Sequence, residues 1–444
     1  MQVDTVLYNA KVYTSKGIVK AGIAINDGRI VKVAKEPNLP KASVKLNLNG
    51  CLVLPGLIDS HVHLRDQQLA YKEDFLSGTS AAAAGGVTTV IDMPNNKPVT
   101  MNVQSLRTRI KLAEERIVVN VAFNSAFPET TKEIREIVHE DAVGFKLYLL
   151  QQIGGINIDD EKALQQAFKT VAELMVPIAV HAEDKTIIEE AMEKMRQKKQ
   201  EDLDAFLEVH PIAAEVEAIS RVVRLARRSG AHVHVCHVSS EAGLTRLLKA
   251  KNEGLNITCE VTPHHLLLTR QALKKFGNLA LETPPLRTKR DVNALWQALE
   301  KSSIYTIASD HAPHSIEEKQ ASSVWDVKLG IAGLETTLPL MLTQMNKGRL
   351  TIPQLVHLTC EKPAEIFRLS DRGRLIKDCS ADVVVVDLNR EHKIDASRFN
   401  SKAKFSPFDG LKVKGMPVKT FVNGQLVMDE GEIVAKPRAG QILR

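Results

Sequence analysis

The chain has 444 residues, of which 44% are hydrophobic and 25% charged, and its formal net charge is +6. That charge is too diffuse for a nucleic-acid footprint, and 4% aromatic residues are too few for base-stacking platforms. No apolar run approaches the roughly 18–20 residues of a membrane span, and the opening MQVDTVLYNAKVYT alternates like a strand rather than a signal peptide, so a cytoplasmic protein is expected.

Residues 1–50 read as alternating strands punctuated by NDGR and LNLNG. Short β-rich runs then recur in chain order at LVLPGLI (52–58), VTTVID (87–92), VVNVAF (118–123), VGFKLYL (143–149), PIAVHA (177–182), HVHVCHV (232–238), ITCEVT (257–262) and IYTIASD (304–310). Helical patterns separate them, among them SLRTRIKLAEER and the charged, solvated stretch EDKTIIEEAMEKMRQKKQEDLDAF. Eight strand–helix repeats close most economically into a (β/α)₈ barrel. After about residue 370, strands return in ADVVVVDLN, VKTFVNGQLVM and EGEIVA. The predicted fold is α/β: a barrel over 52–368, and a small discontinuous β-sandwich domain built by both chain ends, 1–51 and 369–444.

Barrel active sites lie at the C-terminal ends of the strands. In this chain those ends carry His61 and His63, Lys146, His181, His237, Glu260 with His264, and Asp310. One strand-end histidine is more often structural than a ligand. The same coincidence on six of eight strands points to a binding centre. Five cysteines without a CxxC pair argue against a thiolate zinc site, so nitrogen and oxygen ligands are expected. Four histidines, an aspartate and a lysine exceed one tetrahedral ion, and two ions are the economical reading.

Lys146 is flanked by Phe145, Leu147 and Leu149. On chemistry alone two readings stand level: a buried ion pair, or a neutral amine that adds carbon dioxide to give a carbamate bridging two ions. In HVHVCHV, alternation places Cys236 and His237 on opposite faces. His237, at the strand end, is the predicted ligand, while Cys236, Glu260 and His264 are only candidates for metal proximity. Arg65, Asn95, Arg287 and His314 supply cationic and amide donors suited to a small carboxylate.

The motifs DSHVHLR, MPNN, GFKLYL, VHAED, VCHVS, CEVTPHH, TPPLR and ASDHAPH, in this order, resemble those of dihydroorotases in the cyclic amidohydrolase superfamily. SPFDG and VKTFVNGQLV extend the resemblance to the carboxyl end. The resemblance implies two Zn²⁺ per subunit bridged by carboxylated Lys146, with His61, His63 and Asp310 on one ion and His181 and His237 on the other. It further implies that Arg65, Asn95 and His314 bind a substrate carboxylate, and that Asp310 carries the proton. The reaction implied is the reversible hydrolysis of dihydroorotate to N-carbamoyl-L-aspartate, the third step of pyrimidine synthesis. A related allantoinase, hydantoinase or dihydropyrimidinase is the alternative, and a non-catalytic scaffold a more distant one. A second copy of the chain and aspartate transcarbamoylase are the candidate macromolecular partners. Two departures stand out: Arg65-Asp66-Gln67-Gln68 replaces the usual Arg-Asp-Pro-Gly, and Thr283 replaces an asparagine before Pro-Pro-Leu-Arg.

Overall fold

The computed structural model describes residues 2–443. Eight parallel strands follow one another around the barrel: Leu57–Val62, Val87–Asp92, Asn120–Ala126, Ala142–Tyr148, Ile178–His181, Val233–Val235, Ile257–Val261 and Thr306–Ile307. A bridge between Val62 and His311 joins the last strand's end to the first, where the His63 N–H donates to the His311 carbonyl at 2.9 Å. The Asp59 carboxylate reinforces this seam by accepting from the Ser309 N–H at 3.1 Å. The strands are short, apolar and buried on both faces, as parallel strands covered by helices must be.

Helix starts are written locally. Asp74, Asn102 and Thr288 each accept from the backbone three residues on, and Ser77, Ser105 and Asp291 return the bond as capping boxes. Ile212–Ser229 places its apolar face on the barrel and ends at Gly230, whose φ of 74° suits glycine. The charged stretch folds as Lys185–Gln197 and Leu203–Val209, which pack Ile188, Met195, Ala205 and Val209 into a core of their own. Among the described residues no helix is long and apolar enough to cross a membrane.

Both chain ends share one nine-stranded sheet, in which Val383–Lys393 pairs antiparallel with Leu52–Pro55, which in turn lies parallel to Val3–Thr14. The run read as a single strand at 52–58 is therefore two. Leu52–Pro55 belongs to the end sheet, and the chain crosses at Gly56 into the first barrel strand. A Cβ at residue 56 would lie 2.2 Å from Thr88 Oγ1, so only glycine lets the chain cross there. A continuous apolar run cannot show that its two halves join different sheets.

Candidate metal centre

A cavity of about 400 Å³ opens at the C-terminal ends of the barrel strands. Its wall contains all six residues predicted to hold metal, together with Arg65, Asn95 and His314. The loop after the first strand is held by a buried ion pair. Asp92 accepts from the Leu64 N–H at 2.9 Å and from Arg109 Nε at 2.8 Å, and Arg109 Nη1 donates to the Arg65 carbonyl at 2.8 Å. This anchoring sustains positive φ at Arg65, Asp66 and Gln67, of 55°, 55° and 50°. His237 (36°) and Asp310 (45°) are likewise in the left-handed region. Such backbone conformations persist only where the surroundings impose them.

Three of the four histidines are oriented from behind. His61 Nδ1 lies 2.5 Å from Glu260 Oε1, His63 Nδ1 lies 2.6 Å from Asn95 Oδ1, and His181 Nε2 lies 2.9 Å from Glu183 Oε2. An acceptor at one ring nitrogen fixes the proton there and leaves the other nitrogen's lone pair free for a metal. These free nitrogens converge. His61 Nε2 and His63 Nε2 lie 3.4 and 3.2 Å from Asp310 Oδ1, and His181 Nδ1 lies 3.0 Å from His237 Nε2. Lone pairs aimed at a carboxylate oxygen repel it unless a cation lies between them.

The electrostatics point the same way. Burial is the largest influence on His61 and opposes its charge, as does Lys146, but the Asp310 and Glu260 carboxylates act against them and His61 rises to about 10. His63 is brought down by burial to about 3. Burial also disfavours the Asp310 anion, yet His61 and His63 hold it well below the usual carboxylate range. In the protein alone a proton on His61 balances Asp310, and a divalent ion bound by these nitrogens and oxygens would take its place. The donor set suits zinc or a similar divalent ion.

Lys146 is 1% exposed, and among the described residues it forms no ion pair. Its Nζ instead lies 3.1 Å from both His61 Nε2 and Cys236 Sγ. The ion-pair reading of this lysine thus lacks its carboxylate.

Four candidates do not line the cavity. Glu260 is held between His61 and His234, at 2.5 and 3.1 Å, and supports a ligand rather than being one. Cys236 lies behind Lys146. His237 lines the cavity and Cys236 does not, because the strand stops at Val235 and the positive φ turns His237 towards the centre. His264 faces Glu282, with Nε2 2.6 Å from Oε2. Arg287 is engaged elsewhere, Nε donating to Ser239 Oγ at 3.0 Å and Nη1 to the His210 carbonyl at 2.6 Å.

Arg65 and His314 face the cavity differently. Arg65 is buried, has no carboxylate partner among the described residues, and its Nε makes no hydrogen bond. His314 Nδ1 accepts from Lys72 Nζ at 3.1 Å and its Nε2–H donates to the Leu329 carbonyl at 3.1 Å, so both ring nitrogens are occupied. Sequence reasoning passed over Tyr148, Glu183 and Glu282. Tyr148 and Glu183 each lie two residues beyond a predicted ligand, on the same side of the chain, and that parity was a usable signal. Glu282 comes from a loop and had none.

Residues 52–427 match the family model described as "Amidohydrolase family". An L-hydantoinase of Paenarthrobacter aurescens is 34% identical over 99% of this chain and 98% of its own. A dihydroorotase of Methanothermobacter thermautotrophicus is 36% identical over 93% of this chain and 92% of its own. Among solved structures, an L-hydantoinase (dihydropyrimidinase) from Arthrobacter aurescens superposes with a TM-score of 0.94 at 34% identity, covering 99% of each chain. The likeness read from the motifs as dihydroorotase is therefore shared with hydantoinases, to which the whole-chain similarity leans. With its barrel, end sheet and convergent ligand set, the chain belongs to the amidohydrolase family.

Proposed function

We propose that the chain hydrolyses the endocyclic amide bond of a cyclic ureide at two divalent ions, with zinc the metal its donors suit best. The observation that carries this reading is the convergence of histidine lone pairs on Asp310 and on the unpaired Lys146. His61, His63 and Asp310 would hold one ion, His181 and His237 the other, and a carbamate on Lys146 would be shared. Ions bound there would make hydroxide available at neutral pH and polarise the scissile carbonyl. The chain's own residues do the rest. Asp310 takes the proton released as the nucleophile adds, and returns it to the departing ring nitrogen. Tyr148 lines the cavity with a buried hydroxyl that has no partner among the described residues, and burial raises it well above 10, so it remains a donor to the carbonyl oxygen.

Two ring classes compete. Whole-chain similarity supports the neutral rings of hydantoinases and dihydropyrimidinases better than it supports dihydroorotate. One observation favours the carboxylate-bearing ring: Arg65 is a buried guanidinium on the cavity wall without a counter-ion, and a buried charge needs one. The test is kcat/KM for ring opening of hydantoin, dihydrouracil, allantoin and dihydroorotate, with Arg65→Met measured alongside. If the substrate is anionic, Arg65→Met raises KM for dihydroorotate by about tenfold or more while sparing neutral rings. Turnover of neutral rings alone would assign the hydantoinase reading, and turnover of none would end the proposal.

A further inference from the structure

Among the described residues, Glu282 is the one carboxyl on the cavity wall that the proposed chemistry leaves unused. It is 3% exposed and sits in the loop that runs on into Thr283 and Pro284. Its Oε2 lies 2.6 Å from His264 Nε2, and that ring, itself 1% exposed, backs it away from solvent. Its Oε1 is buried and has no hydrogen-bond partner. Lys319 packs close by without pairing to it, its Nζ donating instead to the Leu281 carbonyl at 2.9 Å. His265 does not satisfy it either, since His265 Nε2 donates to the Pro284 carbonyl at 3.0 Å and stands 3.7 Å from Oε1. A buried polar atom left unpaired costs stability, and such atoms persist where a ligand completes them.

A metal-site reading of His264, His265 and Glu282 fails on the same contacts. With its Nε2 protonated towards Pro284, His265 has only Nδ1 as an acceptor, and Nδ1 is 2.9 Å from the Thr262 hydroxyl. A group that binds substrate is what remains.

A cyclic ureide has two polar edges. The amide that is cut faces the ligand cluster and Asp310. The other edge carries the second ring N–H beside the urea carbonyl, a donor next to an acceptor. With Oε2 held against His264, the free Oε1 is the atom that can accept from this N–H. Burial favours the protonated carboxyl, whose proton on Oε2 can be donated to His264 Nε2, leaving Oε1 a neutral acceptor.

We propose that Glu282 recognises the uncut urea edge of the ring and so acts as a specificity-determining residue for ureides over simple cyclic amides. This rests on the cyclic-ureide reading above.

The test pairs variants with a modified substrate. Glu282→Gln keeps the Oε1 acceptor and a donor towards His264, whereas Glu282→Ala removes both. On the ring opened best by the wild type, Glu282→Ala is expected to raise KM about tenfold with kcat and metal content little changed, and Glu282→Gln to stay within about threefold. The decisive comparison is with the same ring methylated on the uncut nitrogen. Methylation should raise KM about tenfold or more for the wild type and Glu282→Gln, and that penalty should vanish in Glu282→Ala. An equal methylation penalty in all three proteins would overturn the proposal, and so would wild-type KM in Glu282→Ala. Neither outcome touches the cyclic-ureide reading, which fails only if the wild type opens no ring at all.

Discussion

The cavity mouth and the end sheet solve opposite problems. In the end sheet and its loops, positive φ outside glycine falls mainly at Asn9, Asp27, Asn49, Asp378 and Asn423, residue types that tolerate the left-handed region, with Glu430 and Arg438 the exceptions. At the mouth it falls on Asp66 and Asp310 but also on Arg65, Gln67 and His237, which gain nothing locally from it. Buried polar atoms divide in the same way. Arg65, Tyr148, His237 and Glu282 each leave one unpartnered on the cavity wall, whereas the described residues of the end sheet leave none. There, Asp382 takes Arg372, the Asn120 amide and the Asn423 N–H, and Asn423 Nδ2 donates back to Asn120 at 2.8 Å. The end sheet is built for stability, and the mouth holds groups in reserve for ligands.

That contrast can be broken most severely at Lys146. Lys146→Ala is expected to lose bound metal and turnover together, and to regain part of both with added short carboxylic acids, followed by metal analysis. Full metal retention without them would mean that the lysine is no bridge. Asp310→Asn is next, with kcat expected to fall about 10²- to 10⁴-fold while substrate still binds. A near-normal rate would remove Asp310 as the proton carrier.

The same contrast can be sharpened with two buried anchors. Arg109→Ala leaves Asp92 without its partner and should cost about 3–5 kcal/mol in denaturant unfolding, with activity falling because the Arg65 loop loses its tether. Asn423→Ala should cost about 1–2 kcal/mol and leave kcat/KM unchanged, since it only links the end sheet to the barrel. Equal effects on activity would erase the distinction between the two regions.

A further test concerns pH. Burial raises Glu282 to about 8 from an ordinary 4.5. Between those values the folded chain holds a proton that the unfolded chain has released, so this site's contribution to stability falls as pH rises through the window. Glu282→Gln should therefore gain stability relative to the wild type between pH 4.5 and 8, read by urea unfolding at equal metal loading. A difference that does not change with pH would show that Glu282 is ionised throughout.

Much of the centre was legible because strand ends are legible. A two-residue period followed by polar residues located His61, His63, Lys146, His181 and Asp310 without any tertiary information. At Cys236 and His237 the period alone did not choose between the two faces, and the strand end at Val235 with the left-handed His237 decides it. Arg287 and His264 looked available in sequence and are committed to neighbours far along the chain. Glu282 and Lys72 lie on loops, whose placement depends on contacts that no local pattern encodes. In the fold, the hidden feature was the crossing at Pro55-Gly56, a turn signal inside an apolar run that was read as one strand.

The most direct test of the binuclear account is a metal titration of chelator-stripped protein, following ring opening against ions bound per chain. Negligible turnover is expected in the stripped protein, with a return that reaches its plateau at two ions. Undiminished turnover in metal-free protein, or a plateau at one ion, would contradict it.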